Sequence, residues 1–286
     1  MLKNLNEMKK ADVITIHNGI IQAINGPIAY RGYLRNFDNC YFSVDAEILA
    51  TALKDLDEDF IVRESEDNIL IFDEEREISF VPKTAEQLLI PPKTSWYMRD
   101  MSHMWQLVDK FVTPQYPGIK VTNTYFETIS DQSILRVKHH LPFENEAIVF
   151  ARCKIPTKVI AYCVADDKLW LQYDDSNFII INSLDIAFPN TDSFFTGRLR
   201  YKPIPSLKSK LLPCDKVKFE NNNLILYKEY AAKAIIENIE GIGAYDFKLF
   251  SKVINHASAW QMTDTALFFS GENFSGVIEN VEHSSV

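Results

Sequence analysis

Between residues 43 and 82 the apolar positions change period in a set order. Ile48, Leu49, Ala52, Leu53 and Leu56 recur every three to four residues, with Glu47, Thr51 and Lys54 between them. This predicts an amphipathic helix with Asp45 as its N-cap. Two short apolar runs follow, 60–63 and 69–72, separated by the polar Glu66-Asp67-Asn68 turn, and a third, 77–81, stops at Pro82. These read as antiparallel strands bounded by turn chemistry. The unit is a helix followed by a meander.

The same order recurs. Residues 154–165 (KIPTKVIAYCVA) predict a helix opening after Pro156, followed by strands at 168–175, 178–182 and 184–189. Residues 245–257 (YDFKLFSKVINHA) predict another, with Asp246 as N-cap and Phe247, Phe250, Val253, Ile254 and Ala257 as the buried stripe; strands at 259–264, 266–271 and 274–280 follow. Weaker copies begin at 2–10, 99–112 and 206–213. Six helices alternating with six strand groups, starting about every 40 to 56 residues, indicate an internal repeat. Pro91-Pro92 and the stretch before GRLRYKPIPS mark joints, dividing the chain at 1–94, 95–191 and 192–286. The expected fold class is α+β, with three similar domains of two helix-plus-strand repeats each, since one unit alone cannot bury both its helix and its sheet face.

With 47% hydrophobic and 24% charged residues the composition is that of a globular chain. No run approaches the roughly 18 apolar residues of a membrane span. MLKNLNEMKK lacks a signal-peptide core, so a cytoplasmic location and no membrane partner are expected. Cys40, Cys153, Cys163 and Cys214 lack CxxC spacing and are expected reduced and mostly buried.

A net charge of −9 argues at first against a nucleic-acid partner. Its distribution changes that reading. Acids crowd the strand regions, as in Asp57, Glu58, Asp59, Asp73, Glu74, Glu75 and Glu77, whereas predicted helices and their lead-ins collect lysines. If the helices share one side, they form a positive surface on a negative molecule. Solvated helix faces would carry lysines too.

Catalytic signatures are missing: there is no GxGxxG, GxxxxGK[ST], HExxH or GxSxG. His139-His140 reads as a solvated turn beside Lys138, with no second ligand pair at zinc spacing. Asp174-Asp175 and Asp264 suit hairpin turns, and Trp96, Trp105, Trp170 and Trp260 fall on core positions. No enzymatic activity, metal or cofactor is expected.

Order and spacing of these elements resemble the bacterial and phage DNA sliding clamps, across nearly the whole chain. FSVDAEILATALKDL, FIVRESEDNILIF and FVPKTAEQLLIPP are similar to the second helix and closing strands of a first clamp domain. IKVTNTYFETISDQSILRV is similar to the strands around the family's T-D-G-x-R-L turn, of which Asp131 and Leu135 match. CKIPTKVIAYCVADDKLWLQ with LDIAFPN, and YDFKLFSKVINHASAWQMTDTALFFSG, resemble the closing halves of the second and third domains.

The resemblance implies a ring of two chains meeting head to tail, with helices lining the hole and strand edges paired from domain to domain. It implies double-stranded DNA bound without sequence preference, a replicative DNA polymerase and a clamp loader as partners, and self-association into a homodimer ring. Lys9, Lys10, Lys54, Lys110, Lys158, Lys208, Lys210, Lys248 and Lys252 would face DNA, alongside Thr51, Asn255 and His256. Ser130, Gln132, Ser133, Leu135, Val277 and Ile278 would line a groove for partner peptides, and Leu135 and Ile278 fit plain core as well. The alternative is a clamp-like adaptor or transcription platform that never encircles DNA.

Overall fold

The computed structural model describes residues 10–54, 56, 59–65, 67–111, 116–143, 147–156, 158–197 and 199–282. Numbered in chain order, the strands are β1 (Val13–His17), β2 (Ile20–Asn25), β3 (Ile28–Tyr33), β4 (Tyr41–Asp45), β5 (Ile61–Glu64), β6 (Ile69–Phe72), β7 (Glu77–Phe80), β8 (Gly118–Val121), β9 (Tyr125–Ser130), β10 (Ser133–Lys138) and β11 (Ile148–Ala151). They continue as β12 (Ala161–Ala165), β13 (Lys168–Gln172), β14 (Phe178–Asn182), β15 (Lys202–Pro203), β16 (Lys216–Glu220), β17 (Asn223–Lys228), β18 (Ala231–Glu237), β19 (Ala244–Asp246), β20 (Ala259–Met262), β21 (Ala266–Ser270) and β22 (Phe274–Glu279). The helices among the described residues are α1 (Ala46–Lys54), α2 (Ser102–Asp109) and α3 (Phe247–His256).

The chain forms two compact units, one of residues 1–103 and 153–184, the other of 104–152 and 185–286. In the first, a seven-stranded antiparallel sheet runs β12-β13-β14-β3-β2-β1-β4, beside a three-stranded sheet β5-β6-β7. Tight turns set its register. Asn18 and Gly19 take positive φ between β1 and β2, as do Asp166 and Asp167 between β12 and β13, which is what two-residue hairpins require. Phe178 of β14 lies opposite Arg31 of β3, so strands far apart in sequence complete one sheet and leave neither edge open there.

The expected strands at 69–72 and 178–182 occur as β6 and β14, and those near 60–63 and 77–81 as β5 and β7. Helix α1 also occurs, with a different buried stripe. Ala46, Leu49, Ala50, Ala52 and Leu53 are covered, whereas Ile48 is exposed. Asp45 ends β4, and its carboxylate accepts a hydrogen bond from the Lys83 ammonium.

Three expectations fail. The helix read at 154–165 is irregular chain followed by β12, because the short run VIAYCVA pairs with β13 through the Asp166-Asp167 turn. A short apolar run fits either period, and here the hairpin partner selects the strand. The helix read at 206–213 is a turn in which the Leu207 carbonyl accepts from the N–H groups of Lys210 and Leu211. Bracketed by Pro205 and Pro213, it is too short to offset the nucleation cost. No strand forms at 184–189, which ends in Pro189 and is followed by Asn190. The expected helix at 2–10 lies outside the described residues except for Lys10.

In the second unit an eight-stranded sheet runs β11-β8-β9-β10-β22-β21-β20-β15, with a four-stranded sheet β18-β17-β16-β19. Helix α3 matches its expected start: Asp246 is the N-cap and accepts from the Leu249 N–H at 2.9 Å. Leu249, Phe250, Val253 and Ile254 are buried, while Phe247 and Ala257 are half-covered. Phe250 packs on Phe219, Tyr245 and Trp260 at ring-centroid distances of 5.9 to 6.3 Å. Burying such side chains contributes about 1.5–3 kcal/mol each.

Candidate functional site

Sheet pairing brings the expected partner-groove positions together and then divides them. In β10 and β22, Ser133 lies opposite Ile278 and Leu135 opposite Gly276. Because side chains alternate, Ser133, Leu135 and Ile278 share one face with Phe126, Val137 and Phe269. Helix α2 covers that face: Trp105 meets Phe126 edge-on at 6.2 Å, and Phe111, just beyond the helix, stacks on Phe269 at 5.9 Å. Leu135 and Ile278 are therefore core. A Cβ on Gly276 would come within 2.3 Å of the Phe269 ring, so only glycine fits opposite Leu135. Val277 points to the other face, and the six positions do not line a single surface.

Ser130 and Gln132 belong to the turn that ends β9 and begins β10. The Ser130 and Ser133 hydroxyls are 2.7 Å apart, and the Gln132 carbonyl accepts from the Glu279 N–H at 2.8 Å. The turn is thereby held against the end of β22, beside half-exposed Ile134.

The opposite face carries a network that pattern reading did not find. Arg136 donates from Nε to Glu127 Oε2 at 2.6 Å, and from one terminal nitrogen to Thr191 Oγ1 at 2.7 Å and Asp192 Oδ1 at 2.6 Å. Its guanidinium lies between the rings of Tyr125 and Phe195, at 4.4 and 4.3 Å from their centroids. Thr191 also donates to Glu127. This network holds residues 191–195 onto β9 and β10. Arg136 shares its side of β10 with Ile134 and Lys138, so the two-residue alternation alone carried no signal for it.

The lysines fall into different settings. Lys54 ends α1, and Lys10 and Lys158 are exposed in irregular chain of the same unit; against the opposing effect of burial, the Asp100 carboxyl is held below its usual range by hydrogen bonds from Ser102 and the Val159 N–H and, least, by the Lys158 charge. In the second unit Lys110 follows α2 and Lys248 is exposed on α3. Lys252 differs: it is half-buried, with Nζ 5.6 Å from the Phe111 centroid, and burial lowers its ammonium below the usual range. Arg152 and Lys248 add to that lowering while Asp246 and Asp109 oppose it, so these groups share one neighbourhood. Arg152, ion-paired with Asp109 at 2.5 Å, was not among the expected residues. Lys208 and Lys210 are exposed in a turn instead of on a helix, and Lys9 lies outside the described residues. Thr51, Asn255 and His256 are exposed on their helices.

His139 corrects another expectation. Instead of standing in solvent, it is buried against Phe126 at 4.6 Å and Phe143 at 5.4 Å. Nε2 donates to the Thr122 carbonyl at 2.9 Å, and Nδ1 accepts from the Leu141 N–H at 3.1 Å. A second proton would displace that N–H. Burial accordingly lowers the imidazole from its ordinary value of 6.5. The neutral ring's stabilisation is full above that value and is lost as pH falls through the depressed one. Urea midpoints of the wild type should drop between pH 7.5 and pH 5 more steeply than those of His139→Gln; parallel curves would contradict this assignment.

Among the described residues no group of three or more His, Cys, Asp or Glu is placed to hold a metal ion. No helix among them is long and apolar enough to cross a membrane. All four cysteines are free, three of them buried.

Neither known protein families nor curated proteins match the sequence. Solved structures do match. A putative DNA polymerase III beta subunit from Eubacterium rectale superposes with a TM-score of 0.74 at 9% identity, covering 97% of this chain and 96% of that one. The beta subunit of Streptococcus pyogenes DNA polymerase gives 0.71 at 10% identity, with 97% and 96% covered. The Helicobacter pylori beta clamp bound to a DNA ligase peptide gives 0.69 at 10% identity, with the same coverage. Over 97% of its length, this chain has the fold of the bacterial DNA polymerase III beta subunit.

Proposed function

We propose that this chain is a DNA sliding clamp, a non-enzymatic processivity factor that closes as a homodimeric ring around duplex DNA and tethers the replicative polymerase. The observation that carries this reading is the beta-subunit fold over 97% of the chain, with exposed lysines on helices α1 and α3. Three domains related by repeat, bounded near 94 and 191, belong to the same reading. Lysines spread along helices attract phosphates without fixing them, so the duplex is retained by topology and remains free to slide.

Ring closure needs free strand edges. The seven-residue strand β18 is the outer strand of its sheet, with Ile235 exposed and Tyr230 exposed just before it, and β5 and β7 bound the three-stranded sheet. Head-to-tail pairing of β18 with one of these in a second chain would cover both edges. A clamp loader would open that junction. Partner peptides would dock at the turn end of β10 and β22, around Ser130, Gln132 and Ile134. The Helicobacter pylori clamp bound to a ligase peptide supports a peptide-binding role.

Loaded protein should persist on circular DNA and run off a linear duplex, with a dimer mass by light scattering. Lys248→Glu with Lys110→Glu should leave the fold intact and flatten the salt dependence of DNA binding by nearly one released counterion per lost contact. Lys252 is left out because its packing on Phe111 would confound the result. Equal departure from circle and line, with a monomer mass, would favour the non-encircling adaptor.

A further inference from the structure

Residues 193–214 hold five Lys or Arg and no Asp or Glu, in a chain whose net charge is −9. Arg198 lies outside the described residues; the other four are exposed. From 199 to 202 the side chains alternate. Leu199 and Tyr201 line a hollow on the Arg136 side, whereas Arg200 and Lys202 line a second hollow of about 350 Å³. Pairing of Lys202 with Trp260 makes β15 the outer strand of the eight-stranded sheet and fixes this alternation. The Arg200 N–H is held by the Gln261 side chain.

The floor of the second hollow is apolar: Trp260, Met262 and Ile242, the last 42% exposed. The Met262 thioether accepts from the Ile242 N–H at 3.4 Å and is adaptable in shape. At the rim, Lys202 Nζ is 3.5 Å from Glu240, both side chains more than three-quarters exposed. Such a pair exchanges readily for another carboxylate. Arg200 has no ion pair among the described residues.

We propose that this hollow docks an acidic peptide segment of a partner protein, with one apolar side chain entering over Met262 and Ile242 and carboxylates engaging Arg200 and Lys202. A duplex fits less well. The volume suits a single side chain, Trp260 is too buried at 5% exposure to stack on a base, and the hollow is separate from the lysines of α3.

The test is fluorescence anisotropy with a labelled peptide of Asp and Glu residues around a central Leu-Phe pair. Arg200→Glu combined with Lys202→Glu should weaken binding about tenfold or more at low salt and remove most of its salt dependence. Ile242→Ser should weaken it about threefold or more through lost apolar contact. Lys248→Glu should leave peptide binding unchanged, and the Arg200/Lys202 variant should leave retention on circular DNA unchanged, so this proposal and the clamp reading fail separately. The proposal is overturned if the double variant binds the peptide as wild type does, if a neutral peptide of the same length binds equally well, or if an unlabelled duplex displaces the peptide from wild type.

Discussion

Arg136→Met is expected to destabilise the unit of residues 104–152 and 185–286 by about 3–5 kcal/mol, among the largest losses available to a single substitution in this protein. The Glu127 side chain is fully buried and Arg136 is its cationic partner, so removing the guanidinium leaves a buried carboxylate with no opposing charge and only the Thr191 hydroxyl bonded to it. Thr191 and Asp192 lose their donor in the same step, and Tyr125 and Phe195 lose the cation between their rings. Glu127→Leu in the same chain should recover most of the loss, because a well-packed apolar pair tolerates burial better than a lone charge. A double-mutant cycle from urea unfolding measures the coupling. A single-variant loss below about 1 kcal/mol would mean that solvent reaches Glu127 and that the network does not hold residues 191–195 in place.

Leu135→Asp should unfold the same unit instead of selectively removing partner binding. Leu135 is fully buried on the helix-covered face, between Gly276 of β22 and Thr128 of β9, and a carboxylate there has no cationic group opposite it. A loss above about 4 kcal/mol follows, seen as a collapsed thermal transition and rapid proteolysis. The groove itself is better probed at the turn, where Gln132→Ala and Ile134→Ser should change stability by about 1 kcal/mol or less while reducing capture of a clamp-binding peptide. A folded Leu135→Asp protein with a wild-type transition would show that β10 is shifted by one residue from the register described here.

Both predictions depend on side-chain parity, which no linear reading of 130–135 supplies. The run SILRVK alternates and is legible as a strand, yet which half of it faces a helix depends on α2, tens of residues earlier in the chain. Arg136 gains its meaning from Glu127, nine residues away, and from Thr191 and Asp192, which are 55 and 56 away. Local periodicity cannot report such partners. His139 is similar: next to His140 and Lys138 it reads as surface, and only Phe126, Phe143 and two backbone partners make it core.

The sequence by itself determined the elements whose local signals agree with one another. Asp246 followed by an amphipathic run produced α3, and short apolar runs bounded by turn residues produced β6 and β14. It also carried the order of elements that resembles a clamp. Only the tertiary structure decided the ambiguous run 159–165, where pairing with β13 supplied backbone hydrogen bonds along one edge and made a strand of a segment that would equally have suited a helix. It likewise divided the partner-groove positions between two faces and drew strands from separate stretches into each compact unit. The physical reason is common to all three. A strand satisfies its backbone only through a neighbour, and that neighbour is chosen by the folded chain, whereas a capped helix satisfies its backbone from within.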